Sequence, residues 1–89
     1  MKAIITVLGA DREGIIAQIS GLLFEHGINI LDISQTLMQE YFTMIMLVDL
    51  TDCPLSFDEL SRLLAEKGRE RSLSVHIQRQ DIFDAMHRI

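Results

Sequence analysis

The sequence predicts an α+β, ferredoxin-like sandwich with the order βαββαβ. Its sheet has four antiparallel strands in the spatial order 4-1-3-2, with two helices on one face and a short helix at the C-terminus. Three observations carry the prediction. Apolar runs of strand length occur four times, over residues 3–8, 28–38, 41–50 and 73–79. Helical spacing of apolar residues separates the first run from the second and the third from the fourth. The chain has 89 residues and is 48% hydrophobic, enough for one core that buries about 60–70% of the unfolded surface.

The first strand, Ala3 to Leu8, is short, apolar and rich in β-branched residues. The turn Gly9-Ala10-Asp11-Arg12-Glu13-Gly14 leads from it into the first helix, expected from about Arg12 to His26, with Asp11 as the N-terminal cap. Ile15, Ile16, Ile19, Leu22 and Leu23 recur at helical spacing along that helix. Gly14 then falls inside the first helical turn, where glycine costs about 0.8–1.0 kcal/mol relative to alanine. Close approach by a strand, a second chain or a ligand would justify it there. Gly27 stands where a left-handed C-terminal cap belongs, and His26 suits the negative end of the helix dipole.

Strand two, Ile28 to Met38, has Ile30 and Leu31 side by side, which breaks the alternation and predicts a bulge or burial on both faces. Asn29, Asp32, Ser34, Gln35 and Thr36 make it polar enough for a sheet edge, and Gln39-Glu40 is the turn into strand three. In strand three, Tyr41 to Leu50, one face is wholly apolar (Phe42, Met44, Met46, Val48, Leu50) and the other half apolar. The Met44–Met46 pair reads as core packing and not as a metal or cofactor site. Ser56 and Glu59 form a capping box at the start of helix two, which turns Phe57, Leu60, Leu63 and Leu64 inward and ends near Gly68. Lys67, Arg69 and Arg71, the one basic cluster, complement its dipole. Strand four alternates Leu73, Val75 and Ile77 against Ser74, His76 and Gln78, and Gln80 to Ile89 carries Ile82, Phe83, Met86 and Ile89 on one helical stripe. The sheet face without the two helices still holds Tyr41, Ile45 and Leu47, so the tail helix or a second copy is expected to cover it.

Composition excludes several functions. Eight basic against thirteen acidic residues give a net charge of −5, the opposite of a nucleic-acid surface. No run approaches the roughly 20 apolar residues of a membrane span. Cys53 is the single cysteine, which rules out an internal disulfide and a cysteine-ligated cluster. With Met1-Lys2 leading directly into the first strand, a cytoplasmic location is expected. No nucleophile–base pair is recognisable, and neither a metal nor a cofactor is expected.

Two motifs in this order of elements carry a resemblance. Gly9-x-Asp11-Arg12-x-Gly14-Ile15 lies between the first strand and helix, and Gly27-Ile28-Asn29-Ile30-x-x-Ile33-Ser34-Gln35 opens strand two. Over residues 2–79 the chain resembles the ACT domain, a small-molecule-sensing module of amino-acid metabolism. Its full length, with Tyr41-Phe42-Thr43-Met44, is most similar to small stand-alone ACT-domain proteins of bacteria and archaea. Similar ACT sequences form the regulatory halves of glycine-cleavage repressors and the leading domain of formyltetrahydrofolate deformylases. Residues 1–79 would be the ACT domain and 80–89 a helical tail.

The resemblance implies a homodimer that holds an amino acid between the first loop of one subunit and strand two of its neighbour. Asp11 would meet the ligand's amino group and the backbone around Gly14-Ile15 its carboxylate, with Asn29 of the other subunit opposite. The implied ligand-binding set is Gly9, Asp11, Arg12, Gly14, Ile15, Asn29 and Ile30. Two departures weaken the site for a free carboxylate: Asp11 replaces the neutral amide of some amino-acid binders, and Glu13 adds negative charge. The function expected is non-catalytic regulation, with the signal passed to a partner enzyme or regulator. A ligand-free structural dimer or adaptor is the main competitor. An acylphosphatase-like enzyme is the third reading, opposed by the lack of a glycine-rich phosphate cradle around Arg12.

Overall fold

A computed structural model describes residues 1–10, 14–81 and 84. Six elements follow the expected order: β1 (Lys2–Gly9), α1 (Ile15–Glu25), β2 (Asn29–Met38), β3 (Tyr41–Asp49), α2 (Phe57–Glu70) and β4 (Ser74–Arg79). The sheet runs β2-β3-β1-β4 with every neighbouring pair antiparallel, which is the predicted topology.

Register sorts the side chains. Ile5 pairs with Met46 and Ile77, and Val7 with Met44 and Val75, so these residues share one face. They form the core with Ile15, Ile19 and Leu23 of α1 and Leu60 and Leu64 of α2. Burial of each such side chain contributes about 1.5–3 kcal/mol. The predicted apolar face of β3 is buried from Phe42 through Val48, and Leu50 is buried just beyond the strand's end. On the opposite face Leu8, Tyr41 and Ile45 are exposed. The tail stripe expected to help cover them (Ile82, Phe83, Met86, Ile89) lies outside the described residues.

The predicted bulge is present: register shifts between Ile30 and Asp32, leaving Leu31 as the extra residue. The Gln39-Glu40 turn is also present, with Gln39 at φ +54°. The Ser56–Glu59 capping box closes in both directions, Glu59 N donating to Ser56 Oγ at 3.1 Å and Ser56 N to Glu59 Oε1 at 3.0 Å.

Three boundaries differ from expectation. Helix α1 begins at Ile15, so Gly14 is its N-cap at φ +75° and does not lie in the first turn. A backbone that L-residues avoid calls for glycine there. Among the described residues the nearest atom to an added Cβ would be Gln18 Nε2, 3.9 Å away, so crowding by them does not. At the other end of α1, His26 is the cap, and Gly27 is left-handed as predicted, at φ +71°. Gly27 N bonds Phe24 O at 3.1 Å and Ile28 N bonds Leu23 O at 3.0 Å, the paired bonds of a Schellman motif.

Helix α2 runs two residues past Gly68, to Glu70, so the glycine is not itself the stop. Gly68 is buried, and a Cβ there would lie 2.7 Å from Val75 Cγ2 and 3.0 Å from Leu73 O. The glycine lets α2 approach β4. The stop falls instead to Ser72 at φ +58°, with Ser72 N donating to Arg69 O at 3.2 Å and Leu73 N to Gly68 O at 2.8 Å.

Candidate functional site

The first half of the predicted site lies where β1 gives way to α1. Gly9 is buried at the end of β1, opposite Phe42. Gly14 is exposed and Ile15 buried, and Gln18 N donates to Gly14 O at 3.0 Å as the first turn closes. The glycine cap has no side chain to accept from the following N–H groups, and the first turn holds no acidic residue. Such a helix start favours an anion, through its free N–H groups and the positive end of the dipole. Asp11 and Arg12, the polar members of this half, lie outside the described residues.

The second half opens β2. Asn29 is exposed and pairs with Asp49; Ile30 is half-buried and pairs with Val48. Asn29 also borders a groove of about 300 Å³ with Phe24, Gly27, Ile28 and Asp52. Asp49 accepts from Thr51 Oγ1 at 2.6 Å and Thr51 N at 3.0 Å. Those bonds, the side-chain one foremost, hold the Asp49 carboxyl below its usual range. The Met1 ammonium lies 3.9 Å from the same carboxylate and Lys2 pairs with Asp49 across the strands, so this half is polar and carries charges of both signs.

One chain does not bring the halves together. Gly9 and Leu37 both pair with Phe42, while Lys2 and Asn29 both pair with Asp49. Strands β1 and β2 thus run in the same direction, with Gly9 and Asn29 at opposite ends of the sheet. Seven steps at about 3.3 Å separate those ends by roughly 23 Å. The resemblance placed Asn29 on a neighbouring subunit, and this separation is the geometry such an arrangement needs.

The other residues weighed in the sequence have structural roles. His26 Nδ1 lies 2.9 Å from Leu22 O, and Ser74 Oγ lies 3.0 Å from His76 Nε2 on the helix-free face. Cys53 is free and half-buried. Among the described residues no group of three or more His, Cys, Asp or Glu could hold a metal ion, and no helix is long and apolar enough to cross a membrane. Sequence reasoning missed a second groove, between α2 and β4, which brings Arg62, Arg69 and His76 together. Periodicity gave the two elements but not their apposition, which depends on Gly68.

Residues 2–78 match a family model described as ACT domain. A UPF0237 protein of Clostridium acetobutylicum is 57% identical over all 89 residues of both chains. Among solved structures, an ACT domain protein from Streptococcus pneumoniae is similar with a TM-score of 0.85 and 45% identity, over 98% of each chain. A formyltetrahydrofolate deformylase from Pseudomonas syringae shares the fold, with a TM-score of 0.78 at 22% identity; 88% of this chain matches 27% of that one.

Proposed function

Because this chain belongs to the ACT-domain family, we propose that it is a non-catalytic regulatory protein that binds a small metabolite, an amino acid, between two copies and signals to a partner protein. One observation carries the reading: the two halves of the site lie at opposite ends of a single sheet. An antiparallel two-fold pairing of β2 with β2 of a second copy sets the Asn29 end of one beside the Met38 end of the other. That is also the end at which Gly9 leads into α1. The N–H-rich half of one copy would then take the carboxylate, and Asn29 of the other would hold the opposite side of the ligand.

The surface supports this edge over a face-to-face pairing. Strand β2 is terminal in the sheet and exposes Leu31 and Leu37. Ile16 and Phe24 of α1 are exposed too, Phe24 at 83%, and eight residues apart they share one stripe of the helix. Ala17, Gly21, Leu22 and Glu25 border the groove shared with Lys67 and Arg71 of α2, so the Ile16–Phe24 stripe faces away from α2. Pairing through the helix-free face would bury Ile45 and leave the halves of each site apart.

Sedimentation and thermal melting test the proposal together. The expected result is a dimer at micromolar concentration that Phe24→Glu converts to a monomer, and one or a few amino acids that raise the melting temperature. At a hundredfold excess over Kd a ligand adds about 2.7 kcal/mol. For a domain this size that is a shift on the order of 10–20 °C, at ~4–8 °C per kcal/mol. A monomeric wild-type chain overturns the shared site. A dimer that no amino acid stabilises leaves the structural or adaptor role.

A further inference from the structure

We infer that the groove between α2 and the free edge of β4 is a docking site for an extended, acidic segment of a partner protein, which adds to the sheet as a fifth strand. The inference is independent of the metabolite site, which lies on other elements.

The groove has a volume of about 420 Å³, and four successive residues, Leu73 to His76, form one wall. Side chains alternate between the faces of a strand, so a cavity bordered by four in a row runs along the strand's edge. Backbone N–H and C=O groups are offered there as well as side chains. Among the described residues β4 is terminal, with β1 as its one partner strand. Protected edges carry prolines, bulges or charges. From Ser74 to Ile77 this one has neither proline nor charged residue, Arg79 closes the strand, and its register with β1 is unbroken. A groove between an edge strand and a helix is the setting in which peptides bind by strand addition.

The opposite wall fixes the partner's chemistry. Arg62, Ala65, Glu66 and Arg69 project from α2. Lys67 and Arg71 both approach Glu70, at 3.7 and 4.0 Å, whereas Arg69 has no ion-pair partner among the described residues. Two guanidinium groups against one carboxylate make this wall basic on a chain whose net charge is −5. Apolar Ala65, Leu73 and Val75 lie between. The matching guest alternates apolar side chains with glutamate or aspartate. A second copy fits less well, because pairing two such edges sets arginine against arginine.

The probe is a phage-displayed library of random eight-residue peptides, selected on the intact chain and followed by amide NMR of the synthesised winners. Enriched peptides are expected to be acidic with alternating apolar residues, and to shift the amides of Ser74 to Gln78. Their affinity should fall at least tenfold in Arg62→Glu/Arg69→Glu. It should fall equally on wild-type protein when alternate peptide nitrogens are methylated, which removes the ladder bonds without touching the protein's fold. Failure of any sequence to enrich overturns the inference, as does binding that survives N-methylation or amide shifts confined to β2. Concentration-dependent shifts at Ser74 to Gln78 without peptide overturn it in favour of self-pairing.

Discussion

Replacing Gly27 by alanine tests the structural reading of the α1–β2 corner most sharply, because two separable penalties meet at one residue. Gly27 is at φ +71°, where an L-residue with a Cβ loses about 1–2 kcal/mol. The added carbon would also lie 2.7 Å from Asp52 O and 3.3 Å from Asp52 C. Both are backbone atoms of the β3–α2 loop, so the contact is relieved only by moving that loop or α1. Together the penalties come to roughly 2–4 kcal/mol, the range reached when strain adds to overpacking. Gly14→Ala is the internal control. Its φ of +75° carries the same conformational penalty, but among the described residues the nearest atom to an added Cβ is 3.9 Å away, so about 1–2 kcal/mol is expected. At ~4–8 °C per kcal/mol, Gly27→Ala should melt roughly 8–32 °C below wild type and clearly below Gly14→Ala. Gly27→Asn tolerates the left-handed backbone but retains the contact, and should fall between the two. Scanning calorimetry at fixed protein concentration reads all three. Equal losses for Gly14→Ala and Gly27→Ala would refute the contact with Asp52, and an unchanged Gly14→Ala would refute the left-handed cap.

The complementary change, Ser72→Gly, removes strain already present. Ser72 is at φ +58° where Schellman motifs favour glycine, so urea unfolding should show a gain of about 0.5–1 kcal/mol with an unchanged m-value. Ser56→Ala removes the capping side chain of α2 and should cost about 1 kcal/mol, read in the same assay. Hydrogen bonds hold two exposed carboxyls below their usual range, Glu59 through the Ser56 backbone and side chain and Asp49 through Thr51. Because their folded pKa values lie below the unfolded ones, their stabilisation is complete above the unfolded carboxylate pKa and fades as pH falls through the folded values. The Ser56→Ala penalty should therefore shrink in acid, which unfolding of both proteins from neutral pH downward would measure.

Much of the fold was legible because two periodicities were clean. The strict alternation in β3 named its buried face before any packing was known, and adjacent Ile30 and Leu31 marked where the alternation of β2 breaks, which the register resolves as a bulge at Leu31. Gly27 and the Ser56–Glu59 pair were readable because capping is local chemistry. What failed was the meaning of glycines whose neighbours are distant in sequence. Gly68 looks like a helix stop until β4 is placed 2.7 Å from its missing Cβ. Gly14 looks like a mid-turn concession until the helix is seen to start one residue later. The site was legible as two motifs but not as a geometry. Only the strand order, which makes β1 and β2 run in the same direction, places Gly9 and Asn29 at opposite ends of the sheet. The α2–β4 groove had no sequence signature, because Arg62 and Arg69 read as ordinary solvated helix residues until β4 lies beside them.

A four-stranded sheet has two edges, and here their chemistry differs. The β2 edge is bulged at Leu31 and flanked by exposed apolar residues of α1, features that suit a like surface, since apolar stripes complement themselves under a two-fold rotation. The β4 edge is regular and flanked by arginines, features that repel a like surface and suit an unlike one. The proposed function needs both kinds of contact: a self-association that completes the ligand site, and a separate surface through which occupancy is reported. Helix α1 spans the distance between the two halves of the proposed site, and the groove between α1 and α2 is bordered by Gly21 and Leu22 on one side and Lys67 and Arg71 on the other. A ligand that shifted α1 would therefore bear on α2, one wall of the β4 groove. Coupling requires that peptide and metabolite alter each other's affinity by the same factor. Independent binding of the two would separate the surfaces and leave the dimer without that route to its partner.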